Sequence, residues 1–355
     1  MNEIINILKR KKSIPLDKFI DISLYNKKFG YYMRKNPFGE KGDYITSPLV
    51  SNLFGEMIAI WCVAYWEHIG KPKKILIVEI GPGDGTLCKD LLDTFKNFKE
   101  FYNCIEIKLI EKSNKLKKIQ KKKIKNKKVK WLNKINEINS GPIIFLCNEF
   151  FDALPIKQIY IKKKLFFEKF VGLDKSEKKI KFLKKHAKKC LVKNINKLKL
   201  NSNGGIVEYP AEAIKYLELM AKKINELGGG LLIIDYGYTV QKNINTLQSV
   251  RNHKYINILS KPGLSDITHH INYQLFLKTL NTNNLTSENV VTQNEFLQKL
   301  GIINRANILS NKISFKEKTN IFYQLNKLLN PNEMGKLFKV LFAHRKNVKF
   351  SLGFK

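Results

Sequence analysis

The chain has 355 residues, 43% of them hydrophobic, which is enough to bury one elaborated domain or two smaller ones. No apolar run is long enough to cross a bilayer, and we expect no secretory signal in the basic residues 1–15, which lack an apolar stretch before a small-residue cleavage site. The five cysteines have no C-x-x-C spacing, and the six histidines form no zinc-ligand pattern with them. We therefore expect reduced thiols, no metal site and a cytosolic setting.

The charge is strongly positive, with 65 basic against 30 acidic residues and a formal net charge of +35. Such a field favours nucleic acid or an anionic membrane surface as a partner. Nearly all of the basic residues are lysines, however, and the densest stretches, 112–130 and 157–199, lack the interleaved arginines and aromatic residues of a base-stacking surface. We predict a solvated lysine-rich exterior that binds nucleic acid without specificity.

The residues before the core are predicted to be mostly helical. Pro15 marks the start of a helix over 14–24, and apolar residues at helical spacing predict a second helix over 49–65. Between them lies a loop rich in glycine, proline and aromatic residues, which contains Asp43 and Thr46. We expect this loop to be a lid in which Asp43 and Thr46 contact a bound cofactor.

Strands and helices alternate from Ile75 onward, which predicts a doubly wound α/β fold with a mostly parallel sheet. We divide the chain into an N-terminal helical and lid segment, 1–74, and a core, 75–355. The core is interrupted at about 156–206 by a predicted hairpin and an exposed lysine-rich insertion. Besides the strand at Ile75, the predicted strands are 105–110, 129–132, 142–147, 231–234, 289–293 and 338–343, with helices over 86–98, 113–123 and 211–226 and a polar loop over 239–272.

A glycine-rich turn follows the first core strand and is the most informative motif. Residues 79–86 read Glu-Ile-Gly-Pro-Gly-Asp-Gly-Thr. Glycine lets the backbone turn sharply and lets a ligand lie against it, and Thr86 is expected to cap the helix that follows. The pattern E-x-G-x-G-x-G resembles the first motif of S-adenosylmethionine-dependent methyltransferases. The resemblance implies that the cofactor is bound by Glu79, Gly81, Pro82, Gly83, Gly85 and Thr86.

Further motifs run in a fixed order along nearly the whole chain, at 30–33, 39, 42–48, 54–56, 79–87, 148–155, 235–238, 246–251, 263, 265–271, 292–293, 334–335 and 338–341. The run Asn-Glu-Phe-Phe-Asp-Ala-Leu-Pro at 148–155 is the most particular of them. Together they make the sequence resemble the MidA family. The resemblance implies a seven-stranded, Rossmann-like class I methyltransferase fold with S-adenosylmethionine as its cofactor.

The mitochondrial members of the MidA family are protein arginine methyltransferases that help to assemble respiratory complex I. The resemblance therefore implies a protein substrate, a complex I subunit, and a location in the bacterial cytoplasm or, in a eukaryote, in the mitochondrial matrix. Two positions depart from the family pattern. Tyr209 stands where the family tends to have serine, and Asn272 where it tends to have aspartate. A substrate contact at either position would change the choice of target.

The carboxyl ends of parallel strands meet at one edge of a doubly wound sheet, beside the switch in strand order. We expect Glu111 to accept hydrogen bonds there from the ribose hydroxyls of the cofactor, and Asn148 to contact the cofactor as well. Glu149 and Asp152 follow the same strand end as Asn148. A pair of carboxylates can hold a guanidinium group and aim one of its nitrogens, so these two acids are catalytic candidates.

Two further catalytic candidates, Asp266 and His269, lie on a later loop. His269 could accept the proton that is lost after methyl transfer, and a surface histidine without a role is the alternative. For Asp152 the alternative is a helix cap or a turn residue. Phe150 or Phe151 could wall the pocket and exclude water, although at least one of them is expected to be core packing.

Three functions fit these observations. Methylation of arginine on a complex I core subunit, in support of complex I assembly, is the leading one. An RNA methyltransferase would suit the charge, but the sequence contains no recognisable RNA-binding module and no N/D-P-P-Y run after the fourth strand. The third is a non-catalytic assembly factor that retains the cofactor. The sequence leaves the oligomeric state open, a homodimer included.

Overall fold

The computed structural model describes residues 2–34, 37–39, 42–174, 176, 179–200, 205–240, 242–311 and 313–355. The helices are α1 Asn2–Lys11, α2 Leu16–Tyr25, α3 Tyr31–Arg34, α4 Ser47–Val50, α5 Asn52–His68, α6 Thr86–Phe95, α7 Lys99–Cys104, α8 Asn114–Lys123, α9 Lys189–Lys197, α10 Ala211–Leu227, α11 Tyr273–Thr282, α12 Gln293–Lys299, α13 Ile302–Ser310, α14 Phe315–Leu329 and α15 Met334–Leu337, with a 3-10 turn at Ile135–Glu137.

The strands are β1 Ser13–Pro15, β2 Ile75–Ile80, β3 Ile105–Ile110, β4 Val129–Leu132, β5 Ile143–Asn148, β6 Lys157–Lys162, β7 Leu165–Leu173, β8 Ile180–His186, β9 Gly205–Tyr209, β10 Gly229–Tyr238, β11 Gln248–Arg251, β12 Lys254–Tyr255, β13 Asp266–Thr268, β14 Ile271–Asn272, β15 Leu285–Ser287, β16 Val291–Thr292 and β17 Phe338–Arg345. No described helix is both long enough and apolar enough to cross a membrane.

The chain forms two compact units, each assembled from three stretches of sequence. Unit 1 contains Met1–Tyr44, Phe151–Tyr216 and Val240–Leu275, and unit 2 contains Ile45–Phe150, Leu217–Thr239 and Phe276–Lys355. These units do not follow the predicted boundary at residue 75. The reason is the packing of α5, whose buried Trp61 and Tyr65 belong to the same hydrophobic core as Ile77 of β2.

Unit 2 contains the main sheet, in which seven strands lie in the order β15-β17-β10-β5-β2-β3-β4. The strands from β10 to β4 are parallel, whereas β17 runs antiparallel to both β10 and β15. After β2 the chain builds β3 and β4 on one side, and it then crosses to β5 and β10 on the other. The strand order thus reverses between β2 and β5, where doubly wound sheets bind their ligands. This sheet confirms the predicted fold class.

The central strands are buried because helices cover both faces of the sheet. All six residues of β2 are buried, as its continuous apolar, β-branched run predicts. On one face α5 contributes Trp61 and Tyr65, whose rings stack with centroids 5.7 Å apart and pack edge-on against Phe342 of β17. These rings belong to one hydrophobic core with Ile77 of β2, so this face of the sheet is apolar.

Unit 1 is built on antiparallel strands. One sheet has the order β1-β7-β6-β9, with β8 also paired to β7, and a second has the order β12-β11-β13. Its main hydrophobic core includes Leu8, Phe19, Tyr31, Val171 and Ile267. The hairpin of β6 and β7 confirms the predicted hairpin.

Two expectations about local structure need correction. The helix predicted over 49–65 is divided into α4 and α5, because Ser51 is extended and its side chain accepts the Leu53 N–H at the start of α5. The described part of the lysine-rich insertion, for which we predicted no element, contains β8 and α9. The region predicted as a polar loop over 239–272 contains β11, β12, β13 and β14.

Candidate functional site

The glycine turn joins β2 to α6 in unit 2. Gly81, Gly83 and Gly85 have φ values of 69°, 55° and 85°, a left-handed conformation that other residues rarely adopt. A Cβ atom on Gly81 would lie 2.8 Å from the Phe150 ring, and one on Gly85 would lie 2.9 Å from Ile124. The turn therefore needs glycine both for its conformation and for space.

The side chain that accepts a free N–H group at the start of α6 is that of Asp84 and not that of Thr86. The Oδ1 atom of Asp84 accepts hydrogen bonds from the Thr86 N–H at 3.0 Å and from the Thr86 hydroxyl at 2.7 Å. Lys123, at the end of α8, donates to Asp84 Oδ2 at 2.5 Å and to Thr86 Oγ1 at 2.7 Å. The expected cap by Thr86 is wrong, because the residue in the N-cap position is Gly85 and an ionised carboxylate is the stronger acceptor.

Two buried oxygen atoms at this edge of the sheet have no hydrogen-bond partner among the described residues, Oε2 of Glu79 and Oδ1 of Asn148. Burial is the main reason that the pKa of Glu79 is raised to about 8, and the charges of Asp84, Asp90 and Glu111 act in the same direction. A buried polar atom without a partner costs about 1–3 kcal/mol. Both atoms are therefore suited to a ligand that donates hydrogen bonds, and Glu79 to one that carries positive charge.

Glu111 is buried at the end of β3 and is bonded to the start of α8. Its Oε1 atom accepts the Ser113 N–H at 2.7 Å, and its Oε2 atom accepts a hydrogen bond from Gln120 Nε2 at 3.3 Å. Burial raises the pKa of Glu111, and these hydrogen bonds oppose that effect. Each carboxylate oxygen has a second lone pair, so Glu111 can still accept a hydroxyl group of a ligand.

Gln120 is a functional candidate that sequence reasoning missed. It is fully buried, and besides Glu111 its Nε2 atom donates to the Gly83 carbonyl at 2.8 Å. Its Oε1 atom accepts the Trp131 indole N–H at 2.9 Å. Gln120 thus links the glycine turn to the predicted ribose carboxylate. Nothing in a single sequence pairs residues 83 and 120, because no local pattern connects them.

Glu149 directly follows β5 and has a φ of 48°. Left-handed backbone is uncommon for residues other than glycine and tends to occur at functional sites. The Glu149 Oε1 atom accepts the Ser47 N–H at 3.0 Å and a hydrogen bond from Asn148 Nδ2 at 3.2 Å, and the Glu149 N–H donates to the Ile234 carbonyl of β10 at 2.9 Å. The carboxylate is therefore held in place at the strand end.

Unit 2 brings most of the predicted cofactor residues to one edge of its sheet. Thr46 lies in the same unit, but its side chain makes no cap to α4; the Thr46 carbonyl accepts the Leu49 and Val50 N–H groups. At the carboxyl ends of β2, β3 and β5 lie Glu79, Gly81, Pro82, Gly83, Gly85, Thr86, Glu111, Asn148 and Glu149.

In unit 1, Asp266 lies in a buried cluster of tyrosines. Its Oδ1 atom accepts the Tyr32 hydroxyl at 2.9 Å, and the Tyr32 and Tyr44 hydroxyls are 3.1 Å apart. Burial, followed by the charge of Asp152, raises the pKa of Asp266 to about 7. Near neutral pH this carboxyl group can therefore hold or release a proton.

Asp43, which we predicted to contact the cofactor, lies in unit 1 and accepts hydrogen bonds from residues of that unit. Its Oδ2 atom accepts the Tyr31 hydroxyl at 2.5 Å, and its Oδ1 atom accepts the Asn252 N–H at 2.8 Å. Asp43 is only 1% exposed. Both oxygens thus stabilise the loop that carries them, and this arrangement favours a structural role over cofactor binding.

His269 is buried and belongs to the packing of unit 1, so the alternative of an idle surface histidine is wrong. Its backbone N–H donates to the Asp152 carbonyl at 3.1 Å. Its Nε2 atom lies 3.1 Å from the Leu154 carbonyl oxygen, and its Nδ1 atom lies 3.2 Å from that of His270. Carbonyl oxygens are acceptors only, so this geometry favours a hydrogen-bond donor over the predicted proton acceptor.

The two departures from the family pattern also have structural roles in unit 1. Tyr209 is buried in a small core, and its hydroxyl accepts a hydrogen bond from Asn194 Nδ2 at 3.4 Å. Asn272 is buried, and its Oδ1 atom accepts the Leu275 N–H at 3.1 Å, in the first turn of α11. An aspartate at position 272 could accept the same hydrogen bond.

Comparison with known proteins identifies the family to which these residues belong. The family model described as "Putative S-adenosyl-L-methionine-dependent methyltransferase" matches residues 57–291. The chain belongs to this family. The methyltransferase is similar to the protein named "Protein arginine methyltransferase NDUFAF7, mitochondrial" from Xenopus tropicalis, with 31% identity over 365 residues that cover 96% of this chain and 84% of that one. The human protein of the same name is 28% identical over 359 residues, covering 93% and 80%.

A solved structure has the same fold as the methyltransferase. A protein from Burkholderia thailandensis, crystallised with S-adenosyl-homocysteine, superposes with a TM-score of 0.83 at 22% identity, covering 98% of this chain and 92% of that one. Together with the family model, the curated relatives confirm the family predicted from the sequence, and with it S-adenosylmethionine as the cofactor.

The residues of unit 2 fit this cofactor. The unpartnered Oε2 atom of Glu79 can accept the ammonium group of its amino-acid end, and Glu111 can accept ribose hydroxyls. The left-handed glycine turn presents backbone without side chains. The unpartnered Oδ1 atom of Asn148 offers one more acceptor beside Glu149. S-adenosylmethionine would supply an already activated methyl group to this edge of the sheet.

Proposed function

We propose that this methyltransferase methylates arginine side chains of a protein, a subunit of respiratory complex I, and thereby supports assembly of that complex. The observation that carries the proposal is Glu149, a carboxylate fixed in left-handed backbone next to the cofactor residue Asn148. Relatives named protein arginine methyltransferase, 28% to 31% identical to this chain, support arginine as the acceptor.

The chemistry requires a guanidinium nitrogen to attack in line with the bond that is broken. Guanidinium is cationic and its lone pairs are delocalised, so it is a poor nucleophile in water. A fixed carboxylate can hold it through charge-assisted hydrogen bonds and draw its positive charge away from the attacking nitrogen. Glu149 has this role in the proposal. Because the Ser47 N–H already fixes one oxygen of Glu149, little reorganisation is needed when the substrate binds.

Two of the predicted catalytic residues in unit 1, Asp266 and His269, differ in their ability to take up a proton. Within unit 1, Asp266 is a better candidate than His269 for taking up a proton, because its pKa of about 7 allows uptake near neutral pH. Both ring nitrogens of His269 face carbonyl oxygens instead. Asp152, whose charge raises the pKa of Asp266, stays a candidate for substrate binding on that unit.

Glu149→Gln tests the proposal most sharply. We expect transfer of labelled methyl groups to protein to fall at least about 100-fold, as for the loss of a residue that stabilises the transition state. The affinity for S-adenosylhomocysteine, measured by calorimetry, should stay within about threefold, because the amide keeps the shape of the side chain. Gly83→Val should abolish both, since a β-branched residue is strained at the φ of 55° that Gly83 adopts. The exposed Glu218→Gln in α10 is the matched control and should change neither.

The identity of the labelled product decides between the candidate functions. Acid hydrolysis of the labelled protein should release methylarginine. Label in RNA, or in lysine alone, would contradict the proposal. Tight binding of S-adenosylhomocysteine without any methyl transfer would identify a non-catalytic assembly factor. Loss of cofactor affinity in Glu149→Gln would show that Glu149 contributes to cofactor binding and would contradict its proposed role in substrate binding.

A further inference from the structure

Five large apolar side chains on α13, on α14 and between these helices are exposed in unit 2. Phe315 is 85% exposed, Ile308 62%, Tyr323 58%, Ile303 38% and Ile313 36%. We call these five residues the apolar patch. They are not needed to anchor the two helices, because a different set of side chains is buried in the core of unit 2: Ile302, Ala306, Leu325 and Leu328.

Lysines flank the apolar patch on α14. Helical geometry separates Phe315 and Tyr323 by about 80° around the axis, with Lys318 on one side of them and Lys316 and Lys327 on the other. The ammonium group of Lys327 lies 4.8 Å from the centre of the Tyr323 ring. The helix therefore combines aromatic side chains with a basic border.

The single acidic residue of α14, Glu317, does little to offset these lysines locally. Its Oε2 atom accepts hydrogen bonds from the Ser314 N–H at 2.9 Å and the Ser314 hydroxyl at 2.6 Å, and it forms a capping box there. The carboxylate is thus directed at the helix N-terminus, where the helix dipole favours negative charge. The surface around Phe315 is apolar and, on balance, positive.

We propose that the apolar patch inserts into the headgroup region of an anionic lipid bilayer. Exposed aromatic and branched apolar side chains bordered by lysines are the composition of segments that bind membrane interfaces. The formal net charge of +35 complements an anionic surface and opposes contact with a second copy of the chain. Nucleic acid would attract the same lysines but would leave Ile308 and Phe315 in water.

Vesicle binding by the full chain tests this proposal. We expect flotation with vesicles that contain phosphatidylserine and much weaker flotation with phosphatidylcholine alone. The double substitution Ile308→Ser and Phe315→Ser should lower the partition coefficient about tenfold or more, because most of the buried apolar area is removed. Leu165→Ser is the matched control, since Leu165 is 53% exposed in unit 1, and it should change the coefficient less than twofold.

A second variant reports insertion directly. Phe315→Trp should show a blue-shifted emission with anionic vesicles and no shift with phosphatidylcholine. Equal partition of the serine double variant and the wild type would overturn the proposal, because it would assign all binding to the lysines. Binding of no vesicle, with a mass in solution that falls in the double variant, would instead identify the patch as an interface between copies of the chain.

Discussion

Glu79 is a carboxylic acid in an environment that favours its neutral form. It lies in a strand covered on both faces, and burial raises its pKa to about 8, with the charges of Asp84, Asp90 and Glu111 acting in the same direction. At pH 7 the ligand-free protein therefore keeps this carboxyl group mostly protonated. An ammonium group at the unpartnered Oε2 atom would stabilise the ionised form. Cofactor binding should then release a proton.

This linkage predicts how cofactor affinity depends on pH. Below the pKa of about 8, the ligand must displace a proton from Glu79, so the affinity for S-adenosylhomocysteine should fall about tenfold from pH 7 to pH 6. Near pH 8 the dependence should flatten, because the carboxyl group ionises without the ligand. Glu79→Gln should bind more weakly at pH 7 and nearly equally at both pH values. Calorimetry in two buffers of different ionisation enthalpy counts the protons, and equal release by wild type and variant would contradict this account.

At the scale of elements, α8 fixes two parts of the cofactor site from one face. Gln120 and Lys123 are three residues apart and therefore lie on the same side of the helix. Gln120 bonds the Gly83 carbonyl and Glu111, while Lys123 bonds Asp84. The glycine turn and Glu111, the predicted ribose carboxylate, are thus positioned by one helix that contributes no group to the predicted site itself.

We therefore predict that Gln120→Met weakens cofactor binding. The substitution keeps the volume but leaves the Gly83 carbonyl and the Trp131 indole N–H without their partner, so the affinity for S-adenosylhomocysteine should fall about tenfold. The rate at saturating cofactor should change less than about threefold, because Gln120 touches no reacting atom. The exposed Gln298→Met is the control and should leave the affinity unchanged. A lower melting temperature with wild-type affinity would reduce Gln120 to a purely structural role.

The individual strands and helices show which parts of the fold could be predicted from the sequence. The strands at 105–110 and 129–132 agree with β3 and β4 to the residue, because apolar residues stand at every second position of each. The strand β8 was missed, since lysines on both of its faces hide the alternation that marks a strand. The helix α9 was missed although Leu191 and Ile195, four residues apart, are its buried side.

The residues of the candidate site also fall into those that the sequence could predict and those that it could not. Acids and glycines at strand ends could be predicted, because alternating strands and helices already place those ends at one edge of a sheet. The partners of Asp43 could not, since Asn252 is 209 residues away in the sequence. For the same reason the sequence contained no sign that His269 faces the Leu154 carbonyl. Long-range hydrogen bonds decide whether a polar residue is available for chemistry, and one sequence does not reveal them.

The whole molecule is dominated by unbalanced positive charge. Its formal net charge is +35. Ion pairs between exposed side chains, such as Lys71 with Glu67 and Lys89 with Asp93, each contribute little to the stability of the folded state. Repulsion among the remaining lysines favours the expanded, unfolded chain. The folded state should therefore gain stability whenever that repulsion is reduced.

Adding salt and raising the pH each reduce this repulsion, so the sign of their effect on stability can be predicted. Raising NaCl from about 0.02 to 0.3 M shortens the Debye length from about 20 Å to below 10 Å and should raise the midpoint of thermal unfolding by about 2–5 °C. The effect should vanish near pH 9.8, where the sequence has no net charge. Scanning calorimetry at both pH values checks this. A midpoint that falls with salt at pH 7 would mean that attractive ion pairs, and not self-repulsion, dominate the electrostatics, because screening weakens whichever of the two prevails.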